Sequence, residues 1–266
     1  MTRVIVHAGF HKTGTTSLQS YLAQNRARFA PFFAYYGQND FKSAGARARV
    51  FAQRPFPWRM AKFRAAFHAF LDDIPDADTI VLSRETFCGV MPGHRTWRRR
   101  TIKDFKTAGI PLCRTVIQLL RERFGPDVRI EFLFTTRERE AWIRSVYGHL
   151  LRSIHLRVEF EEFRAGFPNL IDLEEEAKRI ASALDGCTTH IRAMESYGTH
   201  HNGPAAAILE LAGVDAATCA TLPRAARANE GQPPELEAAF LELNRSGKSK
   251  HTLRHMKNEM LARKDR

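Results

Sequence analysis

The sequence predicts an α/β fold: a doubly wound parallel sheet with helices on both faces and a P-loop-like phosphate-binding loop after the first strand. Three observations carry this reading. Apolar runs at 3–8, 79–83 and 128–136 suit parallel strands covered on both faces. Helical patterns alternate with these runs. The first run leads straight into Gly9-Phe10-His11-Lys12-Thr13-Gly14-Thr15-Thr16-Ser17-Leu18, a glycine- and hydroxyl-rich turn ahead of an amphipathic stretch.

Taken in order, the first strand is 3–8 (Val4-Ile5-Val6 at its centre), and Leu18, Tyr21 and Leu22 mark a helix over about 15–29. A helix at about 58–72 precedes the second strand, Thr79-Ile80-Val81-Leu82-Ser83. Residues 84–111, rich in Gly, Pro and Arg, read as a long irregular connection with at most one helix. A helix at 112–124 leads to the strand 128–136, and another follows at 138–155. A weaker fourth strand is expected at 188–192. Later helices fall near 172–184, 203–212, 234–244 and 250–263. No repeat or linker divides the 266 residues, so a single domain is expected, ending in a basic, solvated helical tail at about 245–266.

Gly9 and Gly14 let the backbone turn tightly. The N–H groups of the following helix then face an anion with the positive end of the helix dipole behind them. Lys12 adds a full charge, and Thr13, Thr15, Thr16 and Ser17 add hydroxyls. The two glycines have Walker A spacing, but Thr15 stands where that motif has its lysine, and Lys12 lies two positions before the second glycine. The loop can wrap a phosphate, with its charge arriving from a different point.

In an open parallel sheet, ligands gather beyond the carboxyl ends of the strands. The three best strands end in His7–Gly9, Ser83-Arg84-Glu85 and Thr135-Thr136-Arg137, which are expected to converge on one cleft.

Composition narrows the partners. A hydrophobic content of 44% and a charged content of 26% suit a chain with a real core, whereas a formal net charge of +12 points to anionic ligands. The basic residues are spread along the chain, without a nucleic-acid-binding motif. Cys88, Cys113, Cys187 and Cys219 show neither zinc-ligand spacing nor a disulfide framework, as expected of thiols in a reducing compartment. The strand beginning at Arg3 leaves no room for a signal peptide, and no apolar run is long enough to span a bilayer. A cytoplasmic protein is expected.

The run Lys12-Thr13-Gly14-Thr15-Thr16-Ser17 after a first strand resembles the 5′-phosphosulfate loop of sulfotransferases that use 3′-phosphoadenosine 5′-phosphosulfate (PAPS). The third strand end extends the likeness. Arg137, with Ser145 eight residues later on the next helix, resembles the pair that clamps the 3′-phosphate of PAPS in that family. A guanidinium fork matches phosphate oxygens, and a serine hydroxyl adds a donor. The resemblance is specific over residues 3–20 and 128–150. It implies PAPS as cosubstrate, Lys12 at the phosphosulfate bridge, Thr13, Gly14, Thr15, Thr16 and Ser17 around the 5′-phosphate, Arg137 and Ser145 at the 3′-phosphate, and no metal.

Sulfuryl transfer needs a base for the acceptor proton. Ser83-Arg84-Glu85 resembles the strand end that carries a basic glutamate in several carbohydrate sulfotransferases, which makes Glu85 a candidate; a structural ion pair with Arg84 or Lys12 is the other reading. His11, His94 and His149 are rival bases, with His11, inside the loop, first among them. Trp142 shares a helix face with Ser145 and His149 and reads as core.

The basic stretches Arg224–Gly231 and Asn244–Lys248 match the family's late loop over the 3′-phosphate poorly. The acceptor site is expected from Phe32–Trp58 and from 86–111, whose aromatics and arginines suit a sugar, a phenol, a lipid or an anionic glycan. Two other functions remain. A P-loop kinase or other NTP-dependent phosphotransferase would need a magnesium carboxylate at a neighbouring strand end, which Ser-Arg-Glu and Thr-Thr-Arg do not supply in the usual place. A basic nucleic-acid-binding module would show strongly salt-dependent binding.

Overall fold

A computed structural model gives the fold and describes residues 1–41, 43–168, 172–226 and 233–264. In chain order the elements are β1 (Arg3–His7), α1 (Thr15–Gln24), α2 (Arg26–Phe29), β2 (Ala34–Tyr36), α3 (Ala44–Gln53), α4 (Pro57–Asp73), β3 (Thr79–Ser83), α5 (Lys106–Phe124) and β4 (Arg129–Thr136). They continue with α6 (Arg139–Ser153), α7 (Phe160–Ala165), α8 (Leu173–Ala181), β5 (Thr188–Ala193), α9 (Ala206–Ala212), α10 (Ala216–Thr221), α11 (Pro234–Arg245) and α12 (Lys250–Lys264). The chain forms two compact units, Met1–Glu138 with Ile171–Asn229, and Arg139–Leu170 with Glu230–Arg266.

The first unit is α/β. Its five strands run parallel in the order β2-β3-β1-β4-β5 and are flanked by helices. Val4, Ile5 and Val6 are fully buried, as are Ile80, Val81 and Leu82, because a central parallel strand is covered on both faces. The connection leaving β1 leads to β2 on one side, and that leaving β4 leads to β5 on the other. The winding therefore reverses between β1 and β4, which opens a crevice at their carboxyl ends.

Packing on one side of the sheet is aromatic. Phe41 lies 4.6 Å from Phe70 and 5.3 Å from Phe87 between ring centroids, and Phe67 lies 5.8 Å from Phe63 and 5.4 Å from Phe87. These rings join α4 to the 3-10 turn Glu85–Cys88 that follows β3. The turn thereby fixes the position of Glu85 beyond its strand.

Several sequence expectations shift in detail. The stretch 15–29 breaks at Asn25, which takes φ −106 and ψ 15 and donates from Nδ2 to the Tyr21 carbonyl at 2.9 Å. The edge strand β2 has three residues, too few for an alternation to show. Helix α3 lies in a segment read only as acceptor region; it buries Ala44, Ala48 and Phe51. Helix α5 starts at Lys106 rather than 112. Its first N–H groups are met from outside: Glu176 on α8 accepts from the backbone of Phe105 at 2.8 Å and Lys106 at 2.7 Å. A buried carboxylate against a helix N-terminus satisfies donors and dipole together, and it comes from 70 residues away.

The strand 128–136 is less apolar than it reads. Glu131 is buried at 1% exposure and pairs with Arg3 at 2.6 Å, Arg129 at 2.8 Å and His190 at 2.9 Å. Burial opposes its ionisation, and these partners together hold its carboxyl below the usual range.

The second unit is helical among its described residues. Arg144 on α6 pairs with Glu237 on α11 at 2.6 Å. Most described positions of the expected basic helical tail are exposed, but Leu253 and Lys257 on α12 are buried. The Lys257 ammonium donates to the Leu151 carbonyl at 2.6 Å and to the Asn244 side-chain oxygen, and lies 3.0 Å from His155 Nδ1. Burial lowers its pKa to about 8.

Candidate functional site

The three strand ends expected to converge do so through a chain of hydrogen bonds. His7 closes β1 opposite Ser83 of β3. His7 Nδ1 lies 2.7 Å from Ser83 Oγ, and Nε2 lies 3.2 Å from Thr135 Oγ1 near the end of β4. Thr135 Oγ1 in turn lies 2.8 Å from Thr13 Oγ1, in the loop after β1. One buried imidazole thus ties β1, β3 and β4 together and anchors the loop at the crevice. Burial lowers the His7 pKa to about 4, against a small opposing effect of Glu85, so the ring is neutral near pH 7.

Gly9 is required by this arrangement. A Cβ there would stand 2.2 Å from Thr135 Oγ1 and 2.4 Å from His7 Nε2. The loop then turns through two left-handed residues, Lys12 at φ 70 and Gly14 at φ 78. Positive φ costs a lysine about 1–2 kcal/mol, and such strain gathers where a backbone serves a ligand. Gly14 is the N-cap of α1 and supplies no side-chain cap to it. The hydroxyls divide into two sets. Thr13 donates to the Phe10 carbonyl at 2.6 Å and Thr15 donates to it at 3.1 Å, so both brace the loop from inside. Thr16 is exposed and Ser17 is half-buried. From Thr13 and Thr15 an anion would meet backbone N–H groups rather than hydroxyls.

Arg137, just beyond β4, reaches this loop: its guanidinium donates to the Lys12 carbonyl at 3.4 Å. The contact is long, and it brings together residues 125 apart in sequence.

Glu85 sits on the other side, after β3. It accepts from Gln19 Nε2 at 3.1 Å, and Gln19 also donates to the Ser83 carbonyl at 3.2 Å. Burial opposes its charge, but His11 and Arg84 outweigh burial and hold its carboxyl below the usual range. His11 lies 3.3 Å from the Gly89 carbonyl through Nε2. Burial pulls its pKa down, Glu85 and the Gly89 bond pull it up, and the net shift is downward. The pair therefore presents an ionised carboxylate and a neutral imidazole at pH 7. His94 is buried beside them, its pKa lowered to about 4 by burial, Arg49 and His11.

The first unit thus gathers Lys12, Thr13, Gly14, Thr15, Thr16, Ser17, His11, Glu85 and Arg137 around the carboxyl ends of β1, β3 and β4. Ser145, His149 and Trp142 lie on α6 in the second unit, Ser145 and His149 half-buried and Trp142 fully buried. From residue 227 onward the stretch Arg224–Gly231 lies outside the described residues. Among the described residues no three His, Cys, Asp or Glu side chains group to hold a metal ion, and no helix is long and apolar enough to cross a membrane.

Two site residues escaped the sequence reading. His7 looked like the last residue of an apolar strand; its signal was a histidine two positions before Gly9. Gln19 lay on the buried face of α1, one turn beyond Thr15, where a polar residue among Leu18, Tyr21 and Leu22 marks a partner across the sheet. No protein-family model matches the chain, and no curated protein matches it.

Proposed function

We propose that the protein is a sulfotransferase that moves a sulfuryl group from PAPS to an acceptor hydroxyl or amine, with carbohydrates among the acceptors, and that its first unit is a doubly wound domain whose β1–α1 loop holds the phosphosulfate. The observation that carries the reading is the approach of Arg137 to the Lys12 carbonyl. It supports a single nucleotide site beside the crevice, to which the loop lends 5′-phosphate donors and β4 lends a guanidinium.

In this reading the uncapped first turn of α1 donates its N–H groups to the 5′-phosphate. Lys12 neutralises charge on the phosphate as it leaves. Bound PAPS supplies an activated sulfuryl group, whose transfer needs positioning and charge stabilisation above all. Arg137 holds the 3′-phosphate. Glu85 takes the acceptor proton, held in place by Gln19. A lowered pKa keeps Glu85 ionised at pH 7 but makes it a weaker base, and neutral His11 beside it is the second group able to accept.

Calorimetric titration with 3′-phosphoadenosine 5′-phosphate and with ATP–magnesium tests the reading. Micromolar binding of the first is expected, weakened at least about tenfold by Arg137→Ala, since a charge-assisted bond contributes about 1.5–3 kcal/mol. Preference for ATP with magnesium would replace this function with phosphoryl transfer. Salt-sensitive binding of nucleic acid without affinity for either nucleotide would replace it with a binding module. Glu85→Gln is expected to lower acceptor turnover by about 10²-fold or more while nucleotide affinity holds.

A further inference from the structure

Two of the three tryptophans of this chain are exposed, Trp58 at 55% and Trp97 at 48%. A single exposed apolar residue is ordinary, but exposed aromatic side chains gathered in one patch mark an interaction site. They belong to one cluster in the first unit. Phe56 stacks on Trp58 with centroids 4.4 Å apart and planes 5° apart, and lies 5.3 Å from Trp97. The backbone N–H of Trp97 donates to the Gln53 carbonyl at the end of α3 at 3.1 Å.

The segment carrying Trp97 is a tight hairpin. Ile102 donates to the His94 carbonyl at 2.8 Å, Arg95 and Thr101 form an antiparallel bridge, and Thr96 donates to the Arg100 carbonyl at 2.8 Å. Arg99 turns the tip at φ 61. Arg98, Arg99 and Arg100 stand consecutively at that tip, all exposed, and Arg98 lies over the Trp97 ring at 4.7 Å. Among the described residues none of these three, nor exposed Arg54 or Arg95, forms an ion pair. Adjacent like charges on an ordered turn repel one another unless an anion lies across them.

The hairpin also reaches back to the candidate site. It is the middle of the connection that starts at Arg84-Glu85. Its base, His94, is buried within electrostatic reach of His11, and Gly89 of the same connection bonds His11.

We propose that this hairpin and the start of α4 form the acceptor-binding surface, and that the acceptor is an acidic oligosaccharide. Trp58 and Trp97 offer flat apolar faces to pyranose rings, and Arg98, Arg99, Arg100 and Arg54 offer forks to carboxylate or sulfate groups. Arg98, Arg99 and Arg100 gather at one tip, beside a continuous aromatic floor of Trp58, Phe56 and Trp97. A single-stranded nucleic acid would instead be served by a charged track running along spaced stacking rings. The acceptor role rests on the sulfuryl-transfer reading; the binding chemistry does not.

The probes are a hexasaccharide of alternating hexuronate and N-acetylhexosamine, its carboxyl-reduced neutral counterpart, an RNA decamer, and 3′-phosphoadenosine 5′-phosphate. Binding is followed by calorimetry and tryptophan fluorescence. The acidic hexasaccharide is expected to bind and perturb the fluorescence, and the neutral one to bind about tenfold more weakly or worse, as the loss of charge-assisted bonds requires. The triple variant Arg98→Ala, Arg99→Ala, Arg100→Ala and the single variant Trp97→Ala should each weaken the acidic ligand by about tenfold or more, with nucleotide affinity unchanged as a check on folding. Equal affinity for acidic and neutral sugars, unaltered affinity in both variants, or tighter binding of RNA through the same residues overturns the proposal. Sugar binding without nucleotide binding leaves the surface standing and removes sulfuryl transfer. Nucleotide binding without sugar binding does the reverse.

Discussion

Acidification from pH 7.5 to 5.0 should cost this protein stability through His7, and the amount can be worked out. The ring is fully buried, bonded on both nitrogens to hydroxyls of Ser83 and Thr135, and its pKa falls from 6.5 to about 4 on folding. Between those values the unfolded chain binds the proton and the folded chain does not, so stability rises with pH and is lost as pH falls through this window. At pH 5.0 the unfolded ring is favoured by protonation about 30-fold more than the folded one, which is about 2 kcal/mol. Urea unfolding of the wild type and of His7→Gln at both pH values measures it. Carboxylates contribute equally to both proteins, so the wild type should lose about 2 kcal/mol more than the variant over this interval. Parallel losses would refute the buried, neutral assignment of His7 and with it the tie between the three strand ends. An imidazole proton shift that titrates near 6.5 in the folded protein would say the same.

Other perturbations test other parts of the fold. Glu131→Gln leaves Arg3, Arg129 and His190 without their shared carboxylate; because the two arginines keep partial access to water, a loss of about 3 kcal/mol in unfolding free energy is expected, at the low end for a broken buried pair. Gly14→Ala must hold φ +78 and place a Cβ 3.0 Å from the Met194 sulfur, so it should cost about 1–2 kcal/mol and weaken 3′-phosphoadenosine 5′-phosphate together with stability in thermal-shift measurements.

The sequence alone determined the α/β class, four of the five strands and the glycine turn after β1, because each is a local pattern: an apolar run of the right length, or spacing between glycines and a lysine. It also picked out the three strand ends that meet, since parallel strands must present the same ends together. Tertiary structure decided what each side chain does there. Thr13 and Thr15 read as ligand hydroxyls, yet they brace the loop against the Phe10 carbonyl, a choice that depends on where the backbone turns. His7, Gln19, Glu131 and Glu176 are polar residues inside apolar patterns, and apart from Arg129, which neighbours Glu131 on β4, the partners described above for their side chains lie 59 to 128 residues away. No local period carries such pairings. Lys257 looked like one charge of a solvated tail and is buried on carbonyl oxygens. Burial is a property of the packed chain, and only packing tells a solvated charge from one held by hydrogen bonds.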